Sequence, residues 1–139
     1  MVRLAGTLAG IVLALAAGAA PAAFKNAGSH GDPKAGEAIY SRCLACHALG
    51  YDRTGPRHCG LFGRRAGSVV GFAYSNAMKH SKIVWDEKTL DRFLANPLKV
   101  VQGTAMGYAG IPDKRERADL IAYLKLANES PQCGKSLRE

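Results

Sequence analysis

In the run Cys43-Leu44-Ala45-Cys46-His47, two cysteines three positions apart are followed directly by a histidine. This spacing is typical of a covalent attachment site for a c-type haem. Each thiol can add to one vinyl group of the porphyrin, and the histidine can then bind the iron as its proximal ligand. We therefore predict one covalently attached haem c per chain, held by Cys43, Cys46 and His47.

Two other chemistries use a pair of cysteines with this spacing. A thioredoxin-type dithiol is expected near a strand-helix-strand pattern, and a zinc site needs a second pair of ligands. No alternating strand pattern surrounds Cys43, and the other cysteines, Cys59 and Cys133, are widely separated single residues. The sequence context therefore favours haem over both alternatives.

The first 23 residues have the pattern of a secretory signal peptide. Arg3 precedes a long uncharged stretch with an apolar centre and the small-residue end Ala20-Pro21-Ala22. We predict a signal peptide over residues 1–22, cleaved after Ala22 or Ala23, and a periplasmic location. The alternative is an uncleaved membrane anchor, since 21 uncharged residues can cross a bilayer of about 30 Å, but alanine and glycine make this segment weakly hydrophobic.

Residues 23–139 are long enough for one small domain. Such a chain has a thin core, and we expect a buried haem to supply part of the apolar volume. The formal charge falls from +8 to +7 when Arg3 is removed, and the lysines and arginines are scattered along the chain. This distribution indicates a solvated surface or redox partners with acidic docking surfaces, and it argues against nucleic-acid binding.

The hydrophobic pattern predicts an all-α fold with three main helices and no series of strands. The first helix should begin at Asp32-Pro33, a capping residue followed by proline, and run to the haem motif. We expect it to turn inward Ala35, Ala38, Ile39 and Leu44. Gly36 lies inside this helix at a cost of about 0.5–1 kcal/mol relative to alanine, so it is either neutral or lets another helix approach closely.

Two further helices follow. The second should start near Asp86 and end before Pro97, with Leu90, Phe93 and Leu94 on its buried face. The third should be capped by Asp113, with Glu116 completing a variant of the capping box, and should end near Ser130-Pro131. Its apolar stripe consists of Leu120, Ile121, Leu124 and Ala127. The residues after Asn128 have the composition of a tail, apart from Cys133.

The chain resembles the class I cytochromes c, the small single-haem carriers of mitochondria and of bacterial respiration and photosynthesis. The resemblance covers residues 31–127 and follows the haem motif and these segments: Gly36 and Tyr40, Gly55-Pro56, Gly60-Leu61-Phe62-Gly63-Arg64, Gly71-Phe72-Ala73-Tyr74-Ser75, Trp85, Asn96-Pro97, Gly103-Thr104-Ala105-Met106 and Leu120-Ile121-Ala122-Tyr123-Leu124. It implies the cytochrome c fold, in which three main helices and loops surround one covalently bound haem.

Carried over residue by residue, the resemblance implies that Cys43 and Cys46 form the thioethers, that His47 is the proximal ligand and that Met106 is the distal ligand. A thioether on a loop flanked by glycine can reach iron from the opposite face, and a His/Met pair raises the reduction potential. The rival distal ligands are Met78 and His80.

The resemblance also implies contacts around the haem. The Pro56 carbonyl should accept a hydrogen bond from the ring of His47. A buried propionate, which would be costly without partners, should receive hydrogen bonds and a balancing charge from Tyr74, Trp85, Thr104 and Arg64. Phe93 stands where many relatives carry a tyrosine near the methionine sulfur, which makes the distal side less polar.

Two protein ligands would leave the iron no open position for a substrate, so the expected function is electron transfer and not enzymatic catalysis. We expect a soluble monomeric carrier whose partners are steered by basic side chains, the candidates being Arg42, Arg53, Lys99 and Lys114. The alternatives are a haem subunit of a dehydrogenase complex and a ligand-binding or peroxidase-like protein with a labile Met106.

The two cysteines outside the haem motif are expected to form a disulfide. An exported chain meets an oxidising compartment, and its other two cysteines are used by the haem. In the family, the loop after Gly55-Pro56 lies near the end of the last helix, which puts Cys133 within reach of Cys59. Free or metal-bound thiols remain the alternative.

Overall fold

Six α-helices and long loops make up residues 30–136, the part of the chain that the computed structural model describes. The helices are α1 (Pro33–Tyr40), α2 (Asn76–His80), α3 (Glu87–Ala95), α4 (Pro97–Val100), α5 (Lys114–Asn128) and α6 (Pro131–Ser136). A 3-10 turn, Ser41–Cys43, continues α1 into the haem motif. The predicted signal peptide, residues 1–22, lies outside the described residues.

The all-α prediction is confirmed. Between residues 30 and 136 no strand forms, and extended backbone pairs only at an isolated antiparallel bridge between Arg65 and Val84. The three predicted helices are the three longest, α1, α3 and α5, and the short helices α2, α4 and α6 were not predicted. None of the helices in this part of the chain is both long enough and apolar enough to cross a membrane.

Helix α1 packs against α5 at a distance that only glycine allows. A Cβ atom on Gly36 would lie 2.0 Å from the backbone oxygen of Asp119 and 2.8 Å from Cβ of Tyr123. The carboxylate of Asp119 also accepts a hydrogen bond of 2.7 Å from the backbone N–H of Asp32, the residue that caps α1. Gly36 therefore serves the close approach of a second helix, which was one of its two predicted explanations.

The predicted inward face of α1 is partly wrong. Ile39 is buried as expected, but Ala38 is exposed and Leu44 is 46% exposed. The buried positions are Gly36, Ile39 and Tyr40, because contact with α5 falls on the side of the helix that carries the glycine. Tyr40 packs against Tyr123 of α5, with ring centroids 5.1 Å apart.

Helices α3 and α5 begin where the sequence predicts, but the capping box predicted for α5 does not form, because the Glu116 carboxylate binds Arg42 instead of the N–H of Asp113. Asp86 caps α3 by accepting a hydrogen bond of 2.6 Å from the N–H of Thr89, and the Thr89 hydroxyl accepts one from the N–H of Asp86. Asp113 accepts a hydrogen bond from the N–H of Glu116 at the start of α5. The Glu116 carboxylate binds the Arg42 guanidinium through two hydrogen bonds of 2.8 and 2.9 Å, and it therefore joins α5 to the turn before the haem motif.

The buried faces of both helices are also confirmed. They carry Leu90, Phe93 and Leu94 on α3 and Leu120, Ile121, Leu124 and Ala127 on α5. Arg117, which is buried, joins the two helices through an ion pair of 2.7 Å with Asp91 of α3. Its guanidinium also donates to the carbonyls of Ile111 and Pro112, which fixes the loop that leads into α5.

The expectation of an unstructured tail after Asn128 is wrong for residues 131–136, which form α6. Pro131 suits a first helical position because its φ angle is already close to the helical value. The N–H groups of Cys133 and Gly134 donate to the carbonyl of Ser130, each at 3.1 Å. The side chain of Cys133 is fully buried, so the short helix is anchored to the rest of the fold.

We expect Gly36→Ala to lower the free energy of unfolding by about 1–3 kcal/mol, because the added methyl group forces α1 away from α5 and outweighs the helix propensity of alanine. Chemical denaturation of the haem-loaded protein, followed by circular dichroism, measures this change.

Gly134→Ala is the matched control, since a Cβ atom there would meet no atom within 4 Å. This variant should unfold at the same denaturant concentration as the wild type or slightly above it. Equal stability of the two variants would contradict the proposed role of Gly36.

Candidate haem site

The backbone of the cysteine pair is wound into a tight turn. The N–H groups of Cys46 and His47 both donate to the carbonyl of Cys43, at 3.1 and 2.8 Å. This winding extends α1 and presents two thiols and one imidazole from five consecutive residues. Cys43 is partly buried and Cys46 is exposed, and both carry free thiols. The two sulfurs are therefore chemically available for thioether formation.

The ring of His47 has one nitrogen engaged by the protein. Its Nδ1 lies 2.7 Å from the carbonyl oxygen of Pro56, and because a carbonyl can only accept, Nδ1 carries the hydrogen. Burial lowers the pKa of His47, and the Pro56 carbonyl opposes this shift. The imidazole is therefore neutral at neutral pH, with its lone pair on Nε2, which is the form that binds a metal.

Gly55 gives this ring its space. A Cβ atom at position 55 would lie 2.4 Å from Cε1 of His47. The N–H of Gly55 donates to the carbonyl of Cys46 at 2.7 Å, so the loop is tied directly to the haem motif. The Gly55-Pro56 pair thus supplies both room and a hydrogen-bond acceptor for one histidine.

Sequence analysis did not single out His58, which packs on the face of His47. The two rings are stacked, with centroids 4.3 Å apart and planes inclined by 19°. Nδ1 of His58 forms a hydrogen bond of 3.0 Å with the Tyr40 hydroxyl. Burial, followed by the nearby His47 and Arg64, holds the pKa of His58 well below its usual range, so its ring is uncharged at neutral pH. No spacing rule relates Tyr40 to His58, and only the fold brings them together.

Arg64 is tied by hydrogen bonds to the loop that follows Pro56 and to the backbone of Trp85. The guanidinium of Arg64 donates to the carbonyls of Cys59 and Arg57, at 2.9 and 3.0 Å. The backbone N–H of Trp85 donates to the Arg64 carbonyl at 2.9 Å. Burial raises the pKa of Tyr74, and the positive charge of Arg64 opposes that shift.

The buried Nε of Arg64 has no hydrogen-bond partner among residues 30–136. An unsatisfied buried donor on a cation is costly, and an anionic oxygen would satisfy it. A haem propionate has this chemistry. Together with the free thiols and the Nε2 lone pair of His47, this orphaned donor shows that the residues present fit a covalently attached haem.

The expected distal residues lie on or against the loop between α4 and α5. Met106 is partly buried and packs against the main apolar cluster, and its N–H donates to the hydroxyl of buried Thr104 at 3.2 Å. Phe93 is buried on α3, with its ring centroid 5.0 Å from that of Trp85. The rival Met78 is buried within the apolar cluster, and the rival His80 is exposed with Nδ1 bonded to the carbonyl of Asn76.

The four basic side chains expected to steer partners differ in their surroundings. Arg42 forms the ion pair with Glu116, which reduces the charge that it offers to a partner. Arg53 donates to the carbonyl of Leu44. Lys99 and Lys114 are exposed.

The all-α fold, the paired thiols and the prepared imidazole define a protein that holds a c-type haem covalently. The chain is 42% identical over 117 residues to cytochrome c2 of Blastochloris viridis, a match that covers 82% of this chain and 87% of that protein. It is 54% identical over 97 residues to cytochrome c of Tetrahymena pyriformis, covering 68% of this chain and 88% of the relative.

A solved structure, cytochrome cH from Methylobacterium extorquens, aligns with a TM-score of 0.67 and 42% identity and covers 69% of this chain and 99% of that one. No protein-family model matches the chain. The relatives nevertheless place the chain in the class I cytochrome c family, whose cofactor is one covalently attached c-type haem.

A disulfide joins Cys59, in the loop that follows Pro56, to Cys133 of α6. The two Cα atoms are 5.0 Å apart, and both side chains are fully buried. The side chain of Asn128, at the end of α5, accepts a hydrogen bond of 3.0 Å from the N–H of Leu61 in the same loop. The loop that carries Pro56 and His58 is thus fixed to the C-terminal helices at two points.

We expect the haem-loaded protein to carry this disulfide. Trypsin digestion without reductant should yield the peptides of Cys59 and Cys133 as one linked species. A thiol reductant followed by alkylation should label only these two residues, because the thioethers of an attached haem are not reduced. Labelling of both thiols in unfolded protein without reductant would contradict the assignment.

The Cys133→Ala variant should lose about 2–4 kcal/mol of unfolding free energy, because a sequence separation of 74 residues limits the freedom of the unfolded chain. The same reductant should lower the unfolding free energy of the wild type to a value close to that of the variant. It should not change the unfolding free energy of the variant.

Proposed function

We propose that this protein is a soluble periplasmic electron carrier. Cys43 and Cys46 attach the haem, and His47 and Met106 are its axial ligands. The observation that carries the proposal is the hydrogen bond from Nδ1 of His47 to the Pro56 carbonyl, which leaves Nε2 as the metal-binding nitrogen next to two free thiols.

The Pro56 carbonyl has two effects on His47. It fixes the tautomer, so that the lone pair lies on Nε2, and it increases the basicity of the ring. Gly55 has no side chain that could displace the His47 ring at this point. The proximal side is therefore prepared by backbone atoms, which keep one position when the charge at the site changes. Such rigidity favours rapid electron transfer, because little has to move.

Met106 is the distal ligand in this proposal, and the partial accessibility of its side chain supports that choice. Its side chain is only partly buried, and the hydrogen bond from its N–H to Thr104 orders the loop at this residue. Met78, in contrast, is a buried member of the main apolar cluster. A buried methionine in such surroundings is more often a filler of the core than a ligand.

The attached haem supplies a couple that exchanges one electron between its oxidised and reduced states. The chain contributes ligands on both faces, which leaves no position for a substrate and distinguishes a carrier from a peroxidase-like protein. Arg64 would neutralise a propionate, and Tyr74, Trp85 and Thr104 would supply hydrogen-bond donors to it. These contacts keep the carboxylate ionised at a buried position.

The partners of this carrier are proposed to be redox proteins with acidic surfaces. The chain has a formal net charge of +8, and the exposed Lys99 and Lys114 remain candidate docking residues after Arg42 is paired with Glu116. Charge attraction of this kind accelerates encounter and weakens with salt. The uncharged stretch that follows Arg3 supports export to the periplasm.

Met106→Ala should abolish the weak far-red charge-transfer band that a methionine sulfur gives with ferric haem, while the haem stays covalently attached. The reduction potential should fall, because methionine is the ligand that favours the reduced state. Cyanide or carbon monoxide should bind to the variant at neutral pH and should bind poorly to the wild type.

The Met78→Leu variant is the matched control, since it exchanges the rival thioether for a core residue of similar volume. It should keep the far-red band. Survival of the band in Met106→Ala, or its loss in Met78→Leu, would refute the proposed ligation. Rapid cyanide binding by the wild type would favour the ligand-binding alternative, and copurification with a catalytic subunit would favour the dehydrogenase alternative.

A further inference from the structure

A continuous series of side-chain contacts leads from helix α1 to the candidate proximal ligand, through Tyr40 and His58 to His47. The Tyr40 hydroxyl is 3.0 Å from Nδ1 of His58, and the ring of His58 is stacked on that of His47 with 4.3 Å between centroids. Neither Tyr40 nor His58 touches the metal in the proposed ligation. Both are polar residues next to the site. The hydrogen bond between His47 and Pro56 does not explain why they are there.

We propose that His58, held by Tyr40, is a positioning residue for the proximal ligand: it fixes the plane of the His47 ring and stabilises the oxidised state of the bound metal. The inference rests on the proposed ligation of iron by His47. It concerns how this chain sets its own reduction potential and not whether it transfers electrons.

The contacts of His47 show why a second support is needed. The hydrogen bond from Nδ1 to Pro56 holds one edge of the ring, but the ring can still rock about the line that joins the two atoms. Gly55 limits the movement at Cε1 without holding the ring. His58 covers one face with planes inclined by only 19°, so a rotation of His47 would break the stack.

The stack also has an electrostatic consequence. An imidazole that binds an oxidised metal ion loses electron density to it and becomes partly positive. The face of an uncharged aromatic ring is negative and attracts positive charge. The His58 ring therefore stabilises His47 more strongly in the oxidised state than in the reduced state, which lowers the reduction potential relative to an aliphatic side chain.

Tyr40 is the residue that anchors this series of contacts to helix α1. It is 3% exposed, it is the last residue of α1, and its ring also packs on Tyr123 at 5.1 Å. Burial raises the pKa of its hydroxyl above the usual range, so the group stays protonated and can share a hydrogen bond with His58 at all physiological pH values. The orientation of His58 is thus tied to the contact between α1 and α5.

The test measures the reduction potential and the electron paramagnetic resonance g values of the oxidised haem-loaded protein. His58→Leu removes the ring and should raise the potential and change the spread of the g values, which depends on ligand orientation. His58→Phe keeps a stacked ring without the hydrogen bond and should shift the potential less than His58→Leu. Tyr40→Phe removes a single oxygen atom and should also raise the reduction potential.

His80→Leu is the matched control, because this histidine is exposed and its Nδ1 bonds to the carbonyl of Asn76 in its own helix. It should retain wild-type values. A wild-type potential and wild-type g values in His58→Leu would overturn the inference, as would equal shifts in His58→Leu and His58→Phe. If His58→Leu does not accumulate with haem, wild-type values in Tyr40→Phe overturn it.

The failure of this inference differs from a failure of the proposed function. If His47 does not bind the iron, the wild-type spectrum already lacks the low-spin signature of histidine and methionine ligation before any variant is made. If the ligation is correct and only the inference fails, that signature is present and the variants at positions 40 and 58 do not move the potential.

Discussion

The close approach of α1 to α5 at Gly36 is the constraint on which the rest of the structure depends. Backbone atoms of Asp119 and Cβ of Tyr123 approach this glycine, so a side chain at position 36 would have no room. The approach determines which face of α1 is buried and places Tyr40 at the end of the helix against Tyr123. The turn that carries the cysteine pair continues from this end, so the geometry of the haem motif follows from the helix contact.

The site is built from this end of α1 and from the loop after Gly55. The helix brings Cys43, Cys46 and His47, and the loop brings the Pro56 carbonyl and the His58 ring. The loop in turn is fixed to the C-terminal helices by the Cys59–Cys133 disulfide and by Asn128. A long loop without regular hydrogen bonding can therefore hold a histidine in one orientation, because its ends are attached to helices.

Local signals in the sequence were sufficient for the three longest helices, α1, α3 and α5, and for the cysteine pair, but not for the short helices α2, α4 and α6. Asp32, Asp86 and Asp113 cap their helices by contacts three residues or fewer along the chain, and such contacts are readable from sequence. The buried face of α1 could not be fully predicted from the sequence, because a glycine and not a large apolar residue lies at its centre. The pairing of Tyr40 with His58 was not readable either, since 18 residues separate them and no periodicity relates them.

A hydrogen-bonded Tyr-His pair inside a small core needs an explanation, since two apolar side chains of the same shape would pack without polar atoms to satisfy. The disulfide, the Arg117 ion pair and the apolar faces of α3 and α5 are contacts between elements that do not involve this pair. The pair fixes the orientation of the His58 ring. A hydrogen bond allows one orientation of the His58 ring where an aliphatic side chain would allow several rotamers, and the ring that it orients lies directly on His47. The polar pair therefore fits the proposed role of His47 as the proximal ligand, because it orients a ring that is stacked on that histidine.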